Sequence, residues 1–109
     1  MREIKFRVWY KKEERMLEPV NIEDISSGFT RPCVFLQYTG LKDKKGKEIY
    51  EGDIIKTIEN LVDKVAFIDG SFLLCDEPLY AQIQYPDDGY CGVEVIGNIY
   101  ENPELLGGV

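Results

Sequence analysis

From Glu3 to Tyr10 the chain alternates. Ile4, Phe6, Val8 and Tyr10 share one parity, and Lys5, Arg7 and Trp9 the other. A period of two is that of a strand whose successive side chains point to opposite faces, so this stretch predicts a strand with one dry face. Trp9 stands out because its same-face neighbours, Arg7 and Lys11, are charged. It either lies under their alkyl stems or caps a second lobe. Cys33–Thr39 is more evenly apolar, as in a central strand covered on both sides. Asp53–Ile58, Val65–Asp69, Phe72–Cys75, Leu79–Gln84 and Val93–Tyr100 add further short strand candidates.

Turn chemistry separates these runs. Asp43-Lys44-Lys45-Gly46 has Asp first and Gly fourth, a type I turn signature. Asp69-Gly70 predicts a two-residue hairpin, because glycine accepts positive φ. Pro86-Asp87-Asp88-Gly89 reads as a loop, and Pro19 confines its neighbourhood to a strand edge or end. The tail predicts one helical turn, with Asn102 as N-cap, Pro103 first, Glu104 near the positive dipole end, and Gly107-Gly108 as the stop. Asn21–Ser26 is a second short helical candidate.

Composition supports the sheet reading. Val, Ile, Thr, Tyr, Phe and Trp supply 35 of the 109 residues, against two alanines, Ala66 and Ala81. That balance suits pleated surfaces and gives little intrinsic helix preference. One domain is expected from the length, and no apolar run is long enough to span a membrane, so the expectation is a soluble cytoplasmic protein. Cys33, Cys75 and Cys91 form no CxxC pair and read as half-buried thiols rather than a disulfide framework. The chain has no histidine, which removes the commonest general base and the His-dependent nucleophile systems. No catalytic, cofactor-binding or metal-ligating residue is assigned, and the expectation is a non-enzyme without cofactor. The acidic pairs Asp76-Glu77 and Asp87-Asp88, with Glu94, are the nearest approach to a hard-cation site, but they lack a ligand spacing.

Charge is uneven. Residues 1–56 hold 12 basic and 10 acidic groups, whereas residues 57–109 hold Lys64 alone against ten acids; the whole chain carries −7. Lys42, Lys44, Lys45 and Lys47, flanked by Tyr38 and Tyr50, have the ingredients of a single-strand nucleic-acid contact. Asp43, Glu48 and Glu51 are interleaved with them, and the net charge opposes a polyanion. The acidic second half raises another possibility, a mimic of the DNA phosphate array that binds a host protein. Aromatic content of 12% leaves Trp9, Phe29, Tyr85 and Tyr90 as candidates for a protein-contact surface.

Two stretches of wording point further. Gln37–Ile55, running Tyr38-Thr39-Gly40-Leu41-Lys42-Asp43 through Lys47-Glu48-Ile49-Tyr50-Glu51-Gly52-Asp53, resembles the signature of the YopX family of phage and prophage proteins. Met1–Trp9 and Val95–Leu106 are similar to that family's two ends. The resemblance implies a mainly β fold, an SH3-like barrel in about residues 48–109 joined to N-terminal strands in about residues 1–47, and no established activity. Read physically, the signature is structural. Gly52 permits a sharp entry into the next strand and Asp53 accepts turn N–H groups, while Gly40 ends a strand and Leu41 meets Ile49 beneath the lysine turn. Together these readings predict a non-enzymatic phage accessory protein that self-associates as a homo-oligomer through exposed aromatics or strand edges.

Overall fold

The computed structural model describes residues 4–17, 19–21, 33–57, 60–75, 77–79 and 92–106. Eleven strands are seen among these: β1 (Lys5–Tyr10), β2 (Arg15–Met16), β3 (Val20–Asn21), β4 (Cys33–Lys42), β5 (Glu48–Tyr50), β6 (Asp53–Lys56), β7 (Val62–Lys64), β8 (Ala66–Ile68), β9 (Ser71–Leu74), β10 (Glu77–Pro78) and β11 (Glu94–Asn98). A single 3₁₀ turn, Pro103–Leu106, follows them. The fold is mainly β, with a curled, half-barrel sheet. No helix among the described residues is long and apolar enough to cross a membrane.

Three antiparallel sheets form among the described residues. The first runs β2-β1-β4-β5, with β3 also on β1; the others run β11-β6-β7 and β10-β9-β8. β4 is central as its apolar run predicts, lying between β1 and β5. β5 therefore belongs by hydrogen bonding with the strands before it, although the sequence reading grouped residue 48 onward with the second part.

Gly40 does not end its strand. It adopts φ +86°, and the β4–β5 register shifts between Tyr38 and Lys42, so the strand bulges at Gly40 and continues to Lys42. The Val65–Asp69 candidate is divided differently. β7 pairs with β6, Val65 N–H donates to the Asp53 carbonyl at 2.9 Å, and Ala66–Ile68 pairs with β9. One run of chain thus passes from one sheet to the next. Ile68 faces Ser71 across the Asp69-Gly70 turn, where both φ angles are positive, 53° and 81°. That is the predicted hairpin, in its type I′ form.

The core gathers Ile49, Ile55, Val65, Leu74, Leu79, Val93 and Val95, with Leu41, Phe72 and Cys75 packed against it. Leu41 packs against the cluster that holds Ile49, and Cys33 and Cys75 are half-buried free thiols. Of the Leu79–Gln84 candidate, Leu79 is buried and the rest lies outside the described residues, as do Cys91, the Pro86–Gly89 loop and the Asn21–Ser26 helix beyond Asn21.

β1 corrects the one-dry-face expectation. Val8 and Trp9, adjacent and on opposite faces, are both buried. The charged parity turns inward, because the rest of the protein packs on it with matching charges.

Candidate functional site

Lys5, Arg7 and Trp9 share a face of β1, and the register of β1 with β4 places Leu36 beside Arg7 and Val34 beside Trp9. Acidic and aromatic side chains of β4, β5, β6 and the tail meet this face. Lys5 Nζ donates to Glu48 Oε2 at 2.6 Å, and the Tyr50 hydroxyl donates to Glu48 Oε1 at 3.0 Å. The Arg7 guanidinium donates to Asp53 Oδ1, while Tyr50 N–H donates to Asp53 Oδ2 at 2.8 Å. Trp9 stacks on Tyr100 with ring centres 5.3 Å apart, so it caps the second part of the molecule. Lys5 and Arg7 also sit over the Tyr38 and Tyr50 rings, at 5.0 and 4.5 Å, and the two rings pack on each other at 5.3 Å. The face that looked wet in sequence is a charged seam.

Its electrostatics follow from burial. Asp53 is 1% exposed, and desolvation pushes its carboxyl above the usual aspartate range against the pull of Arg7. Burial opposes ionisation of Glu48 too, but hydrogen bonds from Lys5 and Tyr50 and the Lys5 charge outweigh it and hold that carboxyl low. Burial first, then Glu48, raises the Tyr50 hydroxyl far above its ordinary value.

The lysine turn is equally committed. Asp43, 6% exposed, accepts from Lys45 and Lys47 N–H groups through Oδ1 at 2.8 and 2.9 Å, and from Val95 N–H through Oδ2 at 2.9 Å. Lys44 N–H donates to the Val93 carbonyl at 3.0 Å, and the Asp43–Gly46 turn closes through a 3.0 Å bond. Glu94 then draws both neighbouring ammonium groups, at 2.7 Å from Lys45 and 3.6 Å from Lys44. The hydrogen bond between them raises Lys45 and lowers Glu94. Asp43 therefore does two jobs: it forms the predicted turn and fastens that turn to β11.

The tail is held by Asn98, whose Oδ1 accepts from Tyr100 and Glu101 N–H groups at 3.0 and 2.8 Å. Asn102 does not act as the expected side-chain N-cap. Its Oδ1 accepts from Asn98 N–H at 3.2 Å, folding the 3₁₀ turn back onto β11. Gly97 permits this, since a Cβ there would lie 2.6 Å from Asn102 Oδ1 and 2.9 Å from Leu105 Cδ1.

The predicted nucleic-acid residues are thus brought to one region, but not as a stacking platform. Tyr38 and Tyr50 are 6% and 2% exposed, and Lys44 and Lys45 face Glu94. Of the protein-contact candidates, Trp9 is buried, and Phe29, Tyr85 and Tyr90 lie outside the described residues, as do Asp76, Asp87 and Asp88. Sequence reasoning missed Lys5 and Arg7; the sign available was a tryptophan sharing their parity. It also missed the apolar groups left outside, Leu61, Val62, Phe67 and Ile68 on or beside β7 and β8.

Beside the seam lies a cavity of about 310 Å³. It is lined by Arg7, Lys47, Glu48 and Tyr50 together with Met16, Leu17 and Pro19.

Interlocked sheets, a charged seam and a self-locking tail define a small β protein whose signature residues build the fold. The chain belongs to the YopX family: the family model described as "YopX protein" matches residues 20–107. It is similar to the SPbeta prophage-derived uncharacterized protein YopX of Bacillus subtilis strain 168, 37% identical over 73 residues. That match covers 60% of this chain and about half, 54%, of the relative's length. The fold is also similar to the crystal structure of protein EF1440 from Enterococcus faecalis, with a TM-score of 0.68 at 31% identity, covering 97% of this chain and 99% of that one.

Proposed function

We propose that this YopX-family chain is a non-enzymatic prophage accessory protein that acts in the host cytoplasm as a self-associating interaction module. Its second part is read as an SH3-like barrel. The passage of residues 62–68 from pairing with β6 to pairing with β9 supports that reading, because barrels turn their corners by such a change of partner. Barrels of this kind serve unrelated functions, so the surface carries the argument.

The supporting observation is the apolar exterior of β7 and β8. Leu61, Val62, Phe67 and Ile68 are 51%, 39%, 42% and 51% exposed, and the 3₁₀ turn that bears the exposed Leu105 and Leu106 packs beside β7. Both strands are edges of their sheets among the described residues. Apolar side chains on an edge are what strand pairing between copies covers. The lysine turn gives the nucleic-acid alternative less support, since two of its ammonium groups meet Glu94.

Sedimentation over a concentration series tests the proposal. The expected result is a dimer or larger species that Ile68→Lys converts to monomer with an unchanged circular dichroism spectrum. A wild-type chain that stays monomeric at millimolar concentration contradicts it.

A further inference from the structure

The β7–β8 run has an open main-chain edge past Val65. The Asp69-Gly70 turn makes Ile68 and Ser71 a hydrogen-bonded pair, as two-residue hairpins do, so bonding to β9 falls on Ile68 and Ala66 and skips Phe67. The N–H and C=O of Phe67 therefore point away from β9. They lie on the side where Val65 N–H donates to the Asp53 carbonyl and the Val65 carbonyl accepts from Gly52 N–H, at 2.9 and 2.8 Å. One step beyond Val65 that cover ends, because β6 begins at Asp53 and the chain before it turns off at Gly52, φ +85°. No turn, loop or side-chain bond reaches the Phe67 main chain among the described residues. The other side of the run is closed, since the Asp63 carboxylate accepts from Lys64 and Cys75 N–H groups at 2.8 and 3.1 Å.

A cavity of about 200 Å³ adjoins this edge, lined mainly by Leu36, Gly52, Val65, Phe67, Ile99 and Tyr100. That is below the roughly 300 Å³ at which ligand pockets begin, so it suits one side chain of a longer chain. Charge selects the chain. Within two positions of the lining residues, the described charged groups are Glu51, Asp53, Asp63, Asp69 and Glu101 against Lys64 alone. Arg7 pairs with Asp53, which leaves four acids to one base.

We infer that this edge binds an extended, basic segment of another protein, which pairs its main chain with Phe67 and places one apolar side chain in the cavity. The surrounding carboxylates attract its lysines or arginines. This goes beyond self-association. A chain that stays monomeric can still take the segment, and a dimer formed elsewhere on the β7–β8 surface leaves the edge open.

The probe is the capped pentapeptide Lys-Val-Leu-Val-Lys, titrated into the full ¹⁵N-labelled chain at low salt while amide signals and their exchange are followed. Saturable shifts are expected at Gly52, Val65, Phe67 and Tyr100, with slower exchange of the Phe67 amide. Glu-Val-Leu-Val-Glu, which keeps the apolar centre and reverses the charge, binds at least about tenfold more weakly. Glu51→Gln weakens the basic peptide about threefold, as loss of one screened charge contact does. The inference is overturned if the basic peptide gives no saturable shifts, if Phe67 exchange is unchanged at saturation, or if the acidic peptide binds equally well. It is also overturned if Glu51→Gln, with its unliganded spectrum intact, binds as tightly as the parent. Exchange at Phe67 that slows with protein concentration alone would give the edge to a second copy, and would overturn it too.

Discussion

β1 and the β7–β8 run dispose of their side chains in opposite ways. In β1 the charged parity is inside, with Arg7 on Asp53 and Lys5 on Glu48. In the β7–β8 run, Val65 is buried while Phe67 and Ile68 stay exposed. Alternation tells which residues share a face; what lies opposite decides whether that face is inside. Buried cations are tolerated where carboxylates and aromatic rings receive them, and apolar groups remain outside where no further layer of the chain covers them.

Substitutions can break this contrast. The largest effect belongs to Arg7→Met, which keeps an apolar stem but leaves the Asp53 carboxylate buried without its cation. Chemical denaturation should show a loss of about 3–5 kcal/mol at neutral pH. The deficit shrinks in acid. Without Arg7 the Asp53 pKa, already raised by burial, rises further, so the variant's native state holds a proton to higher pH than its unfolded chain. Its stability therefore falls as pH climbs through that window, and recovers below it. A deficit independent of pH would mean that Arg7 contributes packing alone.

Gly97→Ala comes next. With Asn102 Oδ1 and Leu105 Cδ1 both under 3.0 Å from the new methyl, the 3₁₀ turn must move, at about 1–3 kcal/mol. Faster amide exchange at Asn98, whose N–H bonds Asn102, would locate the damage.

Glu48→Gln is milder, about 1 kcal/mol at neutral pH. Glu48 has its folded pKa lowered, so its contribution is present above the unfolded carboxylate value and lost as pH falls through the folded one. Parent and variant melting temperatures should differ at pH 7 and converge in acid. The smallest change is Ile68→Lys, within about 0.5 kcal/mol on the monomer, since the side chain is half exposed. Removing an apolar group there should cost less than removing a charge from β1.

These contrasts also mark how far the sequence could be read. β1, β4, β6, β9 and β11 were legible because each is long enough to show a period or an apolar run, and Asp43 and Asp69-Gly70 because their turns are local chemistry. β2, β3 and β10 have two residues each, too few for any period. Gly40 was read as a terminus because a bulge and a strand end both ask for positive φ; only pairing on either side separates them. Asn102 reads locally as a cap and Asp43 as a turn residue, yet Asn102 accepts from Asn98 N–H instead, and Asp43 accepts from Val95 N–H as well. The lysine turn looked like a binding surface since Glu94, 49 or more residues away in sequence, meets it only in the fold. The YopX resemblance was carried by structural residues, which is why it identified the family without naming an activity.

A double-mutant cycle between Arg7→Met and Asp53→Asn tests the charged seam most directly. If the two side chains fasten β1 to β6 as a unit, their coupling energy should reach about 2 kcal/mol or more, with the double variant more stable than the summed single losses allow. A coupling near zero, each substitution acting alone and additively, would contradict the seam.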